Sequence, residues 1–299
     1  MKTILSHITR FLEHIEVERN LAQTTIRNYH LYLTRFQKWA SLQGVKTLEA
    51  CTLQDIGEYQ KWLTAQGGKT GFKKNTLNYH LIALRSFLKY ARKRSIKTIP
   101  LEKIFLAKTP LRKIAILSSK EIELLLVAPM LSKEPNIIKK RDSAILALLA
   151  HTGIAVSELA SLRRNDVNKK DNITIQGRGN KYRSIHLSLQ VKNALKSYLD
   201  VRVDSYAGLF IRHDHAFNPL SHRKDDSNLF LTPRSIQRLV QRYGKIAGIT
   251  KPITPHTLRH SFAASLLSKG TDIESVQSLM GHKNLLTTQV YALTNRAYN

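Results

Sequence analysis

The sequence predicts a mainly α protein: a small helical N-terminal domain, then a mixed α/β domain that is mostly helical with a small antiparallel sheet. Three observations carry this. Apolar residues recur at helical spacing in four successive segments before residue 95. A proline- and charge-rich stretch with no apolar period follows. Beyond it the helical pattern resumes and is broken once, by two alternating segments flanking GRGNK.

The elements follow in order. Ile4, Ile8, Phe11, Leu12 and Ile15 make the first helical stripe. Thr24 or Thr25 is expected to cap a second helix, with Tyr29, Leu33, Phe36 and Trp39 inward. A third helix is expected from Leu53 to Ala65, ending at Gly67-Gly68, where glycine permits a left-handed turn. The fourth, from about Asn75 to Arg94, turns Leu77, Leu81, Leu84, Phe87, Leu88 and Ala91 inward and Lys89, Arg92, Lys93 and Arg94 outward. These four helices define a domain over 1–95. Residues 96–115, with Pro100 and Pro110 among Lys97, Lys103, Lys108, Arg112 and Lys113, read as a linker.

The second domain is expected over 116–299. It opens where Ser118 or Ser119 precedes KEIELLL, with Glu121 near the helix's positive end. Asp142 to His151 reads as a buried helix. ITIQ and YRSIHLS alternate as strands of a hairpin around GRGNK. Ser188 to Tyr198 returns to helix, Tyr206 to Leu231 is irregular, and Thr232-Pro233 supply a cap and first-turn proline for a helix to about Ala247.

Charge narrows the partner. The chain has 48 Lys+Arg against 21 Asp+Glu, a formal net charge of +27. Up to Ala115 there are 21 basic and 7 acidic residues, and beyond it 27 and 14, so the excesses are +14 and +13 and both halves are basic. A polyanion gripped from two sides suits this, with a generally basic, solvated surface as the alternative. Cys51 is the only cysteine, which excludes an intrachain disulfide and points to a reducing cytoplasm. The apolar run Ala144 to Ala150 is too short to cross a membrane, and the N-terminus has no apolar signal core, so a soluble cytoplasmic protein is expected. His213, Asp214, His215 and His222 cluster, but their spacing fits no standard zinc site and no cysteine supports them. A polar loop is the better reading, and no metal is expected.

The chemistry gathers in Thr254 to Tyr291, TPHTLRHSFAASLLSKGTDIESVQSLMGHKNLLTTQVY. His256, Arg259 and His260 fall at i, i+3 and i+4, on one face of a helix. Gly281-His282 and Tyr291 follow on later elements that could fold back over them. A phosphodiester repels nucleophiles, so a site that attacks one must neutralise its non-bridging oxygens as charge builds. Arginine's planar fork does so and never loses its charge. A tyrosine hydroxyl, with a pKa of about 10, attacks well only beside cations and a proton acceptor, and histidine supplies both.

PHTLRHSF, LMGH and TTQVY at these spacings resemble the second signature box of the tyrosine recombinases, or phage integrase family, in particular its Xer-type members. HTGIAVSELASLRRNDV resembles the first box. LAQTTIRNYHLYLTRFQKW and NTLNYHLIALRSFLKYA resemble two helices of the family's core-binding domain. The resemblance implies that the N-terminal domain clamps DNA across from a C-terminal catalytic domain. Lys73, Lys74, Arg85 and Arg92 would then contact phosphates rather than read bases.

Carried over position by position, Tyr291, nine residues beyond His282, matches the nucleophile, whereas Tyr298 lacks that spacing. Arg259 matches the second catalytic arginine and His256 the histidine of HxxR. His282 matches the residue that helps hold the scissile phosphate, and His260 the one that supports the fold. Two positions depart from the pattern. The first box normally reads TGxRxSEL, and here TGIAVSEL puts Ala155 in place of the first catalytic arginine. Losing one such donor costs about 3 to 4 kcal/mol of transition-state stabilisation. Arg163 and Arg164 lie too far along to replace it. The hairpin normally reads GKGxKxR, whose first lysine protonates the departing 5′ hydroxyl, and GRGNKYR places Arg178 there. Arginine is a poor proton donor, so Lys181 is the candidate acid.

The family's activity would be site-specific recombination through a 3′-phosphotyrosyl intermediate, without cofactor. Its partners would be double-stranded DNA with inverted half-sites and a homotetramer exchanging strands through a Holliday junction. Xer-type relatives use a tail beyond the nucleophile to dock on a neighbouring protomer, and with eight residues after Tyr291 the expectation is either a reduced contact or a tail cut short. Ala155 has two explanations, an engineered replacement that traps a DNA complex or a naturally attenuated protein, and the near-intact boxes favour the first. A DNA-binding pseudo-recombinase and a type IB topoisomerase are the competing functions. Ala155 keeps the first open, and the Xer-like N-terminal helices argue against the second.

Overall fold

A computed structural model describes residues 3–19, 21–68, 71–109, 115–167, 171–177, 182–213 and 229–281. The chain divides into two units, Met1–Arg112 and Lys113–Asn299, each with its own core. In the first, α1 (Ile4–Val17) begins where Thr3 Oγ1 accepts the Ser6 N–H, and it buries Ile4, Ile8, Phe11 and Ile15. α2 (Gln23–Leu42) starts one turn earlier than its threonines suggest. Ala22 is the N-cap and makes no side-chain bond, and Thr24 and Thr25 lie in the first turn. The cause is local: Leu21 N–H already bonds back to Ile15 O at 3.1 Å, so the chain has turned before it reaches them.

α3 (Leu53–Ala65) opens on a capping box in which Thr52 Oγ1 accepts the Asp55 N–H and Asp55 returns to the Thr52 N–H at 2.7 Å. α4 (Lys74–Lys93) turns Leu81, Leu84, Phe87, Leu88 and Ala91 into the shared core, where Phe87 meets Phe11 with ring centroids 5.6 Å apart. The stretch expected as a linker departs from expectation. Ile99 and Ile104 are buried in this core and Ile96, Leu101 and Leu106 pack against it, so most of 96–109 belongs to the first unit. Its prolines and lysines hide an apolar set with no helical period, because the segment crosses the core as extended chain and one 3-10 turn, Leu101–Lys103.

The second unit is built around α6 (Asn136–Thr152), whose residues Ala144 to Ala150 are all buried. α5 (Ser119–Val127) precedes it on a capping box made by Ser118 and Glu121. Two short helices follow, α7 (Val156–Ser161) and α8 (Arg164–Val167). Strands β1 (Asn172–Gln176) and β2 (Tyr182–His186) pair antiparallel with Ile173 opposite Ile185 and Ile175 opposite Arg183. α9 (Leu189–Leu199) covers α6, and α10 (Pro233–Ile246), capped by Thr232, packs on α5, α7 and α11. α11 (Pro255–Ser268) lies on α6, and α12 (Ile273–Met280) lies on α11 through Ala263, Val276 and Met280. Among the described residues no helix is long and apolar enough to cross a membrane.

Candidate active site

Three chain segments remote in sequence are tied together by two arginines. Thr254 Oγ1 accepts the Thr257 N–H at 3.2 Å and starts α11, with Pro255 in the first turn, where a missing N–H costs nothing. That start sets the phase of the next turn. His256 is exposed, Arg259 is only 9% exposed, and His260 is half-buried, with its ring 6.2 Å from that of His256. Arg259 Nη1 donates to Gly153 O at 2.6 Å and Nη2 donates to Met280 O. One guanidinium therefore joins the end of α6 to the end of α12.

Both ends need glycine. Gly153 ends α6 with φ +62°, and a Cβ there would meet Phe262 Cδ1 at 2.6 Å and Met280 Sδ at 2.9 Å. Gly281 ends α12 with φ +65°, and a Cβ there would come within 3.3 Å of Arg183 Nη1. The second tie is Arg183 on β2. Its Nε donates to Leu279 O at 3.0 Å, and Nη1 and Nη2 reach Glu158 Oε1 and Oε2 at 2.7 and 2.8 Å. Glu158 Oε2 also accepts the Ala155 N–H at 2.7 Å. Burial pushes the Glu158 carboxyl up, but the Arg183 hydrogen bond, the Ala155 amide and the charges of Arg183 and Arg259 together hold it below the ordinary glutamate range.

A closed circuit results: Gly153 to Arg259, to the Met280 and Leu279 carbonyls, to Arg183, to Glu158, and back to Ala155. The ring holds Arg259 beside the ends of α6 and α12, and an arginine's planar fork is a group suited to phosphate oxygens. Of the expected site residues, Arg259, His256 and Ala155 fall within this region. His282, Tyr291, Arg178 and Lys181 lie outside the described residues, although Gly281 and Tyr182 directly precede His282 and follow Lys181 in the chain. Arg163 and Arg164 do not fill the Ala155 position, since Arg164 is held by Asp204 at 2.8 Å and Arg163 is exposed.

The sequence reading assigned no role to Arg183 or Glu158. The signal was present in the two-residue alternation of the hairpin. Counting back from Ile185, which is buried, Arg183 falls on the inward face, where a charge must find a partner. His213, singled out as a possible ligand, bonds through Nε2 to the Tyr198 hydroxyl at 2.9 Å, and Asp214, His215 and His222 lie outside the described residues. Among the described residues no three metal-ligating side chains gather.

The first unit carries a separate basic surface. Arg85 and Arg92 share a groove of about 800 Å³ with Arg19, Lys89 and Lys93, beside Tyr29 and Glu102. Glu102 partly offsets it, with an oxygen 3.8 Å from Arg92. Lys73 and Lys74 are exposed at the other end of α4. Arg94 leaves this set: its guanidinium lies 4.0 Å over the Tyr90 ring and 3.5 Å from Glu18.

Each unit matches a known family model. The model of the Phage integrase family matches residues 116–297, and that of the Phage integrase, N-terminal SAM-like domain, matches residues 8–95. The chain is 31% identical over 293 residues to the tyrosine recombinase XerC of Bacillus subtilis (strain 168), covering 97% of this chain and 92% of that protein. It is 33% identical over 293 residues to the tyrosine recombinase XerD of Lacticaseibacillus casei, covering 95% and 92%. The crystal structure of the XerH site-specific recombinase bound to palindromic difH substrate, a post-cleavage complex, matches with a TM-score of 0.73 at 22% identity, over 97% of this chain and 82% of that one. At that identity the likeness is one of fold.

Proposed function

The chain belongs to the phage integrase family as a Xer-type tyrosine recombinase, and from that premise we propose that Tyr291 is the nucleophile of a site-specific DNA strand exchange. The observation that carries the reading is Arg259, whose guanidinium bonds both Gly153 O and Met280 O and so sits between the two signature boxes. Held at both ends, the guanidinium has a fixed place, and an arginine's planar, permanently charged fork matches phosphate geometry. In the proposed step the Tyr291 oxygen bonds to phosphorus as the bond to the 5′ oxygen breaks. His256, exposed at the start of α11, takes the phenolic proton. His282 and Arg259 hold the non-bridging oxygens, and Lys181 delivers a proton to the leaving oxygen, with Arg178 beside it as a phosphate contact. The 3′-phosphotyrosyl ester conserves the bond energy, so religation reverses the step with no metal or nucleotide.

Ala155 removes one oxyanion donor from this arrangement, an expected loss of about a hundred- to a thousandfold in rate. The partners proposed are duplex DNA with inverted half-sites and a synaptic homotetramer. The palindromic substrate of the XerH complex and the basic excess of both halves support the first of these. Lys73, Lys74, Arg85 and Arg92 would supply phosphate contacts. A cytoplasmic location accords with a lone cysteine, Cys51, which is buried and whose thiol burial pushes up to about 12.

Ala155 favours one second reading, a protein that occupies sites without cutting. A suicide substrate nicked near the scissile phosphate separates the two. The recombinase reading expects a covalent adduct that rises about a hundredfold or more in rate in Ala155→Arg. No adduct in that variant would leave only the binder.

A further inference from the structure

β2 has one side chain out of keeping with its strand. The inward face of the hairpin is Ile173 and Ile175 on β1 and Ile185 on β2, all buried, and the remaining inward position is Arg183, opposite Ile175 and toward the tip. An isolated two-stranded sheet is marginally stable, so the aim of its tip depends on what its inward face grips. Near the tip that grip is the Arg183 fork. Its side chain is 12% exposed and its partner Glu158 11%, and they meet through two bonds of 2.7 and 2.8 Å.

Resting on the recombinase reading above, we infer that Arg183 is a positioning residue: it locks the hairpin, the Ala155 turn and the end of α12 into one rigid frame, and so stations Lys181 and His282 for the reaction. Each arm of the frame is a contact of this one guanidinium. Glu158 ties it to the Ala155 N–H at the start of α7. Nε ties it to Leu279 O, and Nη1 lies against Gly281, whose neighbour is His282. Lys181 is two residues before Arg183 in the chain, so at most about 7 Å of backbone separates them. A misplacement near 1 Å costs on the order of a hundredfold in rate, so a frame that sets both groups at once matters more than its own distance from the phosphate suggests. Lysine cannot substitute fully, since an ammonium lacks the planar fork that engages both carboxylate oxygens.

Two measurements on the full chain test this, with Arg183→Gln compared against the parent, both also carrying Ala155→Arg. Hydrogen exchange is followed in 155–159, in 172–177 with 182–186, and in 276–281. Single-turnover cleavage is followed on an ordinary nicked substrate and on one with a 5′-bridging sulfur, which needs no acid. We expect exchange to rise in all three segments, with cleavage falling on the order of a hundredfold on the ordinary substrate and by a markedly smaller factor on the sulfur substrate. Exchange rising in the hairpin alone, or equal losses on the two substrates, overturns the inference. If Arg183→Gln fails to fold, Arg183→Lys is expected to give the same ordering with smaller effects, and the same two results overturn it there. If no Tyr291-dependent adduct forms in the parent, the recombinase reading fails, and the exchange result alone decides the frame.

Discussion

At Arg259 a single side chain carries both structure and the proposed chemistry. Arg259→Ala would leave the Gly153 and Met280 carbonyls without their donor in a buried place. We expect a loss of about 3 kcal/mol of stability, read as a lower urea midpoint at unchanged slope. Glu158 gives a pH signature. Its folded pKa lies below the unfolded one, so its stabilisation is complete above the ordinary glutamate range and is lost as the pH falls through that range and the depressed folded value. Stability of the unaltered chain should therefore fall more steeply below about pH 4.3 than that of Glu158→Gln, as urea titrations at stepped pH would show. Identical slopes would remove Glu158 from the account. Arg259, His256 and Ala155 were singled out in the sequence by their match to the family's motifs, and Arg259 reaches the segment next to Ala155 through Gly153 O. The Arg183–Glu158 pair was not legible there, since its partners lie 25 residues apart and meet only through tertiary packing.

Two helix starts were read from their caps: Ser118 and Thr232 each accept a backbone N–H within three residues and open the helix that follows. Thr52, Ser188 and Thr254 cap in the same way and were not singled out beforehand. Ser118→Ala should cost about 1 kcal/mol in thermal unfolding. Thr24 and Thr25 misled because the chain had already turned where Leu21 N–H bonds back to Ile15 O, so that α2 begins from Ala22 without a side-chain cap. The segment 96–109 misled for a related reason: an extended chain that buries Ile99 and Ile104 has no period to detect. The end of α6 is less forgiving than any cap. Gly153→Ala adds a left-handed strain of about 1 to 2 kcal/mol to overlaps with Phe262 and Met280, so unfolding should shift by more than the strain alone. A variant as stable as the parent would mean that α6 and α12 are not held as described.

Across the whole chain, two cores accompany two basic excesses, +14 and +13, and charge spread over both halves is what a duplex-gripping protein requires. In the first unit, Arg85→Gln and Arg92→Gln should each weaken DNA binding at every sequence tested and lower the salt slope of log K by about 1. Fold class and domain number followed from periodicity and composition. The convergence of residues 153–158, 183, 259 and 279–281 did not, because it needs the packed second unit. The most direct test of the central claim is to trap the protein on a nicked suicide substrate, digest it, and map the DNA-linked peptide by mass spectrometry, in the unaltered chain and in Ala155→Arg. The account predicts the phosphodiester on Tyr291 and its loss in Tyr291→Phe. A linkage to Tyr298 or another side chain, or none in either protein, would contradict it.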